Sequence, residues 1–426
     1  MIILSITHFR QFEKPKYKFI YETVVFYQEE FMRVAGVICE YNPFHRGHAH
    51  HLALAREKSE ADYVLCVMSG SVTQRGVFAR HDKWSRAKAA LLGGADLVIE
   101  LPSRFACSSA QEFASGGVCL LSSLGVVTHL SFGCEEDALP LLSAALNALD
   151  ESNPLFADAL RARLDEGLPY PRARALAAQA VSGVDDLSML IAQPNAALAL
   201  EYLRALPASI TPVPVVRKGS GYHDSELSAL SSATAIRRAL SENRQEEAFA
   251  AVPDGELLRS CEARGDVHQE EALTQALLYL LKTTPPAALE RICGMDEGLE
   301  HRFIAAARSA ATREELLSLI KTKRYTHARL SRAAMCALLS VTKDFAKTNA
   351  APTYARILGF QKDAAPLLKA IKDRSVLPLI TKAADFAPDD PLFALDVRAQ
   401  DLWSLGCDNP TLRKSGRDFT TSPIIL

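Results

Sequence analysis

Four short apolar runs alternate with helix-patterned segments over the first third of the chain: RVAGVICE (33–40), DYVLCVMSG (62–70), ADLVIELP (95–102) and VVTHLSFG (126–133). Runs this rich in valine, isoleucine and leucine suit strands covered on both faces. The segments between them, such as AHHLALAREKS and HDKWSRAKAALLGG, carry helical spacing. That alternation predicts a parallel α/β sheet. Ligands of such sheets collect beyond the carboxyl ends of the strands, and polar clusters follow Glu40, Ser69, Leu101 and Phe132. PVPVVR (212–217) can supply a further strand.

The 426 residues are 48% hydrophobic, enough for a large core and two domains. A polar, turn-rich stretch near 250–265 marks the expected boundary, with the α/β domain over 32–260 and a mainly helical domain over 261–426. Residues 1–31 mix charge and aromatics and read as an N-terminal extension or a misplaced start, since Met32 directly precedes the first strand. A net charge of −2 neither demands nor excludes a nucleic-acid partner. Nine cysteines without a CxxC pair fit a reducing, cytoplasmic compartment. No apolar run is long enough to span a bilayer.

After the first strand comes EYNPFHRGHAHH, with His45, His48, His50 and His51 close together. Zinc is one reading, but HExxH is missing and no distant Cys/His pair has ligand spacing. Phosphate is another. A strand end, a tight turn and a helix start present unpaired N–H groups and a positive dipole end to an anion. His45 and His48 would flank that anion, with Gly47 permitting close backbone approach. Capping and surface decoration is the third, and His51 reads as helix packing or decoration. Spacing favours phosphate without identifying a nucleotide.

Downstream, Arg217 and Lys218 precede GSGYHD, a loop that could close over polyphosphate. Ser231, Ser232 and Thr234 open a helix carrying Arg237, a second candidate anion nest or an ordinary N-cap. Gln74, Arg75, Asp82, Lys83 and Arg86 follow the second strand and are candidates for the acceptor side of the cleft, beside plain surface roles. Asn195 could touch a base or ribose, or cap its helix. Gly133 suits a place where a ligand passes the backbone. Lys321, Lys323, Arg324, Arg329 and Arg332, with Tyr325 and His327, form a local basic segment of the type that contacts RNA phosphates and stacks on bases.

FHRGH at 44–48 followed by SSATAIR at 231–237 resembles the paired signatures of the HxGH nucleotidyltransferase superfamily, in the expected order around alternating strands and helices. GVICEYNPFHRGHAHHL, SG..TQRG, DKW, GADLVIELP, SFG, PNAALALEY, GYHD, KRYTHARLSR and YARILGF narrow the likeness. Together they resemble the bacterial tRNA(Met) cytidine acetate ligase family over about 32–426. Arg46 stands where asparagine is commoner, and Ser71 and Val77–Phe78 also depart from the pattern.

The resemblance implies a Rossmann-like parallel-sheet nucleotidyltransferase domain followed by a mainly helical tRNA-binding domain. It implies that ATP activates acetate as acetyl-adenylate and that acetyl passes to N4 of the wobble cytidine of elongator tRNA(Met). AMP and diphosphate leave, and acetyl-coenzyme A takes no part. Mg²⁺ is expected with ATP, without a dedicated protein metal site and without a membrane partner. The ATP contacts carried over are Val37, Ile38, Cys39, Glu40, Tyr41, Asn42, Pro43, Phe44, His45, Arg46, Gly47, His48, Ala49 and His50, with Gly133, Asn195, Arg217, Ser231, Ser232 and Thr234. His45, His48 and Arg237 are the expected catalytic groups. Lys321, Lys323, Arg324, Arg329 and Arg332 are the expected tRNA contacts. An alternative within the same fold joins a nucleotide to a small phosphorylated coenzyme precursor. A non-catalytic RNA-binding protein with a relic nucleotide site is a third reading.

Overall fold

The computed structural model describes residues 32–134, 139–149, 152–168, 170–216, 232–322, 324–386 and 389–426. The expected strands are present as β1 (Val34–Cys39), β2 (Tyr63–Ser69), β3 (Leu97–Leu101), β4 (His129–Cys134) and β5 (Thr211–Val216). All five run parallel, in the order β5-β4-β1-β2-β3. β1 is central, and chain order reverses between it and β4. This switch point opens a crevice at the carboxyl ends.

Three more strands come from the region read as helical. β6 (Ala355–Phe360) runs antiparallel to β3, while β7 (Leu379–Ile380) and β8 (Ile424–Ile425) pair with β6 in parallel. The sheet is therefore mixed, and YARILGF belongs to it. Every residue of β6 but the last is buried. Elsewhere the described residues after 232 are mostly helical.

Alternation along β1 divides the core. Ala35, Val37 and Cys39 face α1 (Arg46–Ser59) and α2 (Lys83–Leu92), where Leu52, Trp84 and Leu91 are buried with them. Val34, Leu65 and Val67 face the opposite cluster, which holds Phe113 and Leu121 from the helix Ala110–Ser123 and continues into the helical region. Fully burying one such leucine contributes about 2 kcal/mol. Gly117 lets that helix approach β1, because a Cβ there would lie 2.7 Å from Ile38. No described helix is long and apolar enough to cross a membrane.

A buried ionic cluster joins the late strands to the early ones. Lys83 donates to Glu100 at the end of β3 at 2.8 and 3.0 Å and lies 2.7 Å from Asp418. Arg356 of β6 bonds the Asp418 carboxylate and lies 3.3 Å from Glu100. Asp396 accepts from Ser103 N at 2.6 Å and from the Tyr354 hydroxyl. Each buried charge thus has an opposite charge or a donor, which its desolvation requires.

Candidate nucleotide-binding active site

The chain leaves β1 through Tyr41, whose φ of 50° lies in the left-handed region, and a cis Asn42–Pro43 peptide. It then enters α1 at His45, the N-cap. His45 Nδ1 accepts from Gly47 N at 3.1 Å, and His48 Nδ1 accepts from His45 N at 3.2 Å. The two histidines therefore form a reciprocal capping box, built from imidazoles in place of the usual serine and glutamate. Their rings stack with centroids 3.6 Å apart. His48 also packs on Tyr41 and Phe44 at 4.7 and 5.6 Å. Both rings are held against the first turn of α1, where the helix dipole favours an anion.

A second helix start converges on the same place. Ser232 caps the helix Ala233–Ser241 by accepting from Ala235 N at 3.2 Å. Arg237 reaches from its first turns to the carbonyl of Asn42 and donates to Thr234 Oγ1 at 3.2 Å. Burial pulls the Arg237 guanidinium below its ordinary value, and the nearby Arg75 charge pulls the same way. Arg237 of the second signature is thus bonded to Asn42, 195 residues away and two positions before the first signature.

Between them lies a cleft of about 360 Å³. From the expected ATP loop it is lined by Val37, Ile38, Cys39, Glu40, Tyr41, Asn42, His45, Gly47, His48 and His50, and from the distant positions by Gly133, Asn195, Ser232, Thr234 and Arg237. Pro43, Phe44, Arg46 and Ala49 are not in its wall. Pro43 and Phe44 border a separate cavity of about 430 Å³ against residues 252–258. Arg46 turns outward to donate to Ala250 O at 3.1 Å. Arg217, Ser231 and Lys323 lie outside the described residues.

Other expectations change. Asn195 does not cap; Gln193 holds that position, and Asn195 faces the cleft. His51 packs α1 on β4, with its Nε2 3.0 Å from Ser131 Oγ, and it also lines the cleft. His50 Nε2 is buried without a protein hydrogen-bond partner. Of the polar and charged set after β2, only Gln74 and Arg75 line the cleft. Asp82 caps α2 through Trp84 N and Ser85 N at 2.8 and 2.9 Å, and Lys83 belongs to the ionic cluster. Arg86 donates to the carbonyls of Glu40 (2.7 Å), Ser69 (3.0 Å) and Gly70, tying the ends of β1 and β2 together. Burial brings its pKa down to about 10. These are supports of the site rather than its surface.

The cleft also has an aromatic side absent from the sequence reading: Phe113, Phe132 and Tyr202. Phe132 and Tyr202 have centroids 6.0 Å apart. Asn195, Leu198 and Tyr202 stand at i, i+3 and i+7, one face of a helix, so periodicity could have found them. Phe113 gave no local signal. In the basic segment, Lys321 and Arg324 are exposed, whereas Tyr325 is buried under Arg302, Arg324 and Arg329, 5.1 to 5.9 Å from its ring. Tyr325 is therefore not presented for base stacking. Arg332 turns back to the Gln74 carbonyl at 3.2 Å.

A family model described as HIGH Nucleotidyl Transferase matches residues 32–418. The tRNA(Met) cytidine acetate ligase of Thermoanaerobacter sp. (strain X514) is 38% identical over 91% of this chain and 98% of its own length. This chain belongs to the tRNA(Met) cytidine acetate ligase family. The corresponding ligase of Acetivibrio thermocellus is 37% identical over 93% of the chain and all of its own length. The crystal structure of Thermotoga maritima TmcAL bound with alpha-thio ATP superposes with a TM-score of 0.86 at 33% identity, covering 93% of this chain and all of that one. The likeness to the ligases thus takes in the helical region as well as the sheet.

Proposed function

We propose that this chain is an ATP-dependent tRNA(Met) cytidine acetate ligase, which acetylates N4 of the wobble cytidine to give N4-acetylcytidine. The observation that carries the chemistry is the convergence of two helix N-termini, His45, His48 and Arg237 on one cleft, joined through the Asn42 carbonyl. ATP lies with its phosphates toward these groups and its base toward Phe132, Leu198 and Tyr202. An acetate oxygen attacks the α-phosphorus, the bond to the pyrophosphate leaving group breaks, and acetyl-adenylate remains. His45, His48, the positive end of the α1 dipole and Arg237 meet the charge that grows on the phosphoryl oxygens. The cytidine N4 then attacks the acetyl carbonyl, loses a proton, and AMP departs. Exclusion of water from the cleft protects the adenylate between the two steps.

The nucleotide's own phosphates would be the chief ligands of Mg²⁺. Glu40 is the one carboxylate among the described residues lining the cleft, and no described group of three or more His, Cys, Asp or Glu side chains forms a metal cage. That donor set suits an ion carried in with ATP through oxygen ligands and water.

The helices beyond residue 260 form the tRNA-binding part, with Lys321, Arg324 and Arg329 as phosphate contacts of the elongator tRNA. Acetate, rather than acetyl-coenzyme A, is the donor, and the setting is cytoplasmic. The test combines purified protein, labelled acetate, ATP and bulk tRNA. Labelled N4-acetylcytidine with release of AMP and diphosphate is expected. A requirement for acetyl-coenzyme A, or exchange driven by a phosphorylated metabolite without regard to tRNA, would replace this reading.

A further inference from the structure

The loop that carries Gln74 and Arg75 to the cleft is fastened at both ends of its tip. On the catalytic side, Gln74 N donates to Glu40 Oε1 at 2.6 Å. On the helical side, Gly76 O accepts from Arg313 Nη2 at 2.9 Å and from Ser331 Oγ at 3.0 Å, while Gln74 O accepts from Arg332 at 3.2 Å. Arg313 Nη2 also donates to Ser331 Oγ at 2.6 Å, and its Nη1 lies 3.1 Å from Glu270. Arg313 is 6% exposed and Ser331 1% exposed, so these bonds work in a dry setting where each is stronger. Gly76 has φ +73°, and a Cβ there would lie 2.4 Å from Arg332 N. The tip therefore sits directly on the backbone of the helix His327–Leu338.

The residue between the fastenings is Arg75, exposed and facing the same cleft as Arg237. Two guanidiniums that share one concavity repel each other, and an anion between them turns that repulsion into two charge-assisted contacts. We propose that Arg75 is a second polyphosphate-binding arginine, opposed to Arg237, and that Arg313 is the positioning residue that holds it there through Gly76. The reading rests on the ligase function proposed above. It assigns Arg75 to the half-reaction in which pyrophosphate is present, not to the acceptor RNA. It also places the holder of an ATP-binding loop on the part of the chain that carries the candidate tRNA contacts.

The experiment separates the half-reactions. Acetate-driven ATP–pyrophosphate exchange reads the first, and transfer from chemically prepared acetyl-adenylate to tRNA reads the second. Arg75→Ala should raise the ATP KM in exchange about 10- to 100-fold, the range expected for a lost charge-assisted contact. Transfer should stay within about twofold of the parent protein, since no pyrophosphate is bound in that step. Arg313→Lys keeps a buried cation but has one nitrogen where arginine sets Nη2 on Gly76 O and Ser331 Oγ and Nη1 on Glu270. It should raise the ATP KM in the parent background and add nothing in the Arg75→Ala background. An unchanged ATP KM in Arg75→Ala overturns the assignment. Loss of transfer with exchange retained overturns it in favour of an RNA contact. Effects of the two substitutions that add make Arg313 merely structural. If the parent protein itself shows neither half-reaction, the fault lies with the ligase reading instead.

Discussion

The imidazoles of His45 and His48 stack with centroids 3.6 Å apart and planes 26° from parallel, and each also caps the helix they begin. One pair of side chains thus caps the helix and, in the proposed mechanism, also meets the phosphates. His48→Ala should lower acetate-driven exchange by about 100- to 1000-fold, the scale of a lost transition-state donor. His45→Ala should show a similar loss and also cost about 1 kcal/mol of stability through the N-cap. His45→Asn should restore the melting temperature without restoring exchange. Recovery of both in the asparagine variant would reduce His45 to a cap.

Arg237 spans the two signatures with a planar fork, bonding the Asn42 carbonyl and Thr234. Lysine has the charge but not the fork. Arg237→Lys should therefore lose about 10- to 100-fold in exchange kcat/KM, a loss of about 1.4 to 2.8 kcal/mol at the transition state. An unaffected lysine variant would mean that charge alone suffices there.

Asp396 gives stability a distinctive pH dependence. Burial, reinforced by the neighbouring Glu100 carboxylate, raises its pKa to about 7. The unfolded chain releases this proton near pH 4, while the folded chain keeps it until about pH 7. Between those values the folded state binds the extra proton, so this group's contribution falls as pH rises and levels off above about 7. Asp396→Asn removes that slope. Urea midpoints should show the variant gaining on the parent protein from pH 5 to pH 8, and parallel curves would contradict the assignment.

Glu297 lies 2.7 Å from Arg324 and 3.9 Å from Arg329, so it competes for the cations assigned to tRNA. Arg324→Ala with Arg329→Ala should weaken tRNA binding and reduce the salt slope by about 2, one per lost phosphate contact. Exchange should be unaffected. Glu297→Gln should strengthen tRNA binding, because an exposed pair is weak and its loss frees both cations for phosphate. Filter binding across a salt series checks both signs, and weaker binding by the glutamine variant would place the RNA elsewhere.

The five parallel strands and the histidine loop were legible because both are local patterns: apolar runs with helical intervals, and a turn ending in an unusual cap. β6 was hidden because a six-residue apolar run among helices has no period of its own, and its partner β3 is far away in sequence. Asp82, Lys83 and Arg86 read as cleft-lining or surface groups, not as buried supports, for a related reason. Lys83 is buried against Asp418, a partner that only the folded chain brings near. Tyr325 among arginines reads the same whether its ring awaits a base or is already covered by cations. Arg313 gave no signal, since its acceptor is a backbone carbonyl. Arg237 was legible because a cation in the first turns of a helix opposes the dipole there. Its bond to the Asn42 carbonyl supplies a structural reason for that placement.

β8 and Asp418 give the order of synthesis a physical consequence. Lys83 and Arg356 have Asp418 as a buried carboxylate partner, and β6 gains its β8 neighbour only from residues 424–425. A ribosome that has released the first five strands has not yet supplied either. The nascent sheet therefore exposes the edge of β3 until β6 arrives, and from then Lys83 and Arg356 share Glu100 until residue 418 emerges. Nascent chains stalled between 360 and 418 should be the ones that chaperones hold longest, although every cleft-lining residue described here has already been translated.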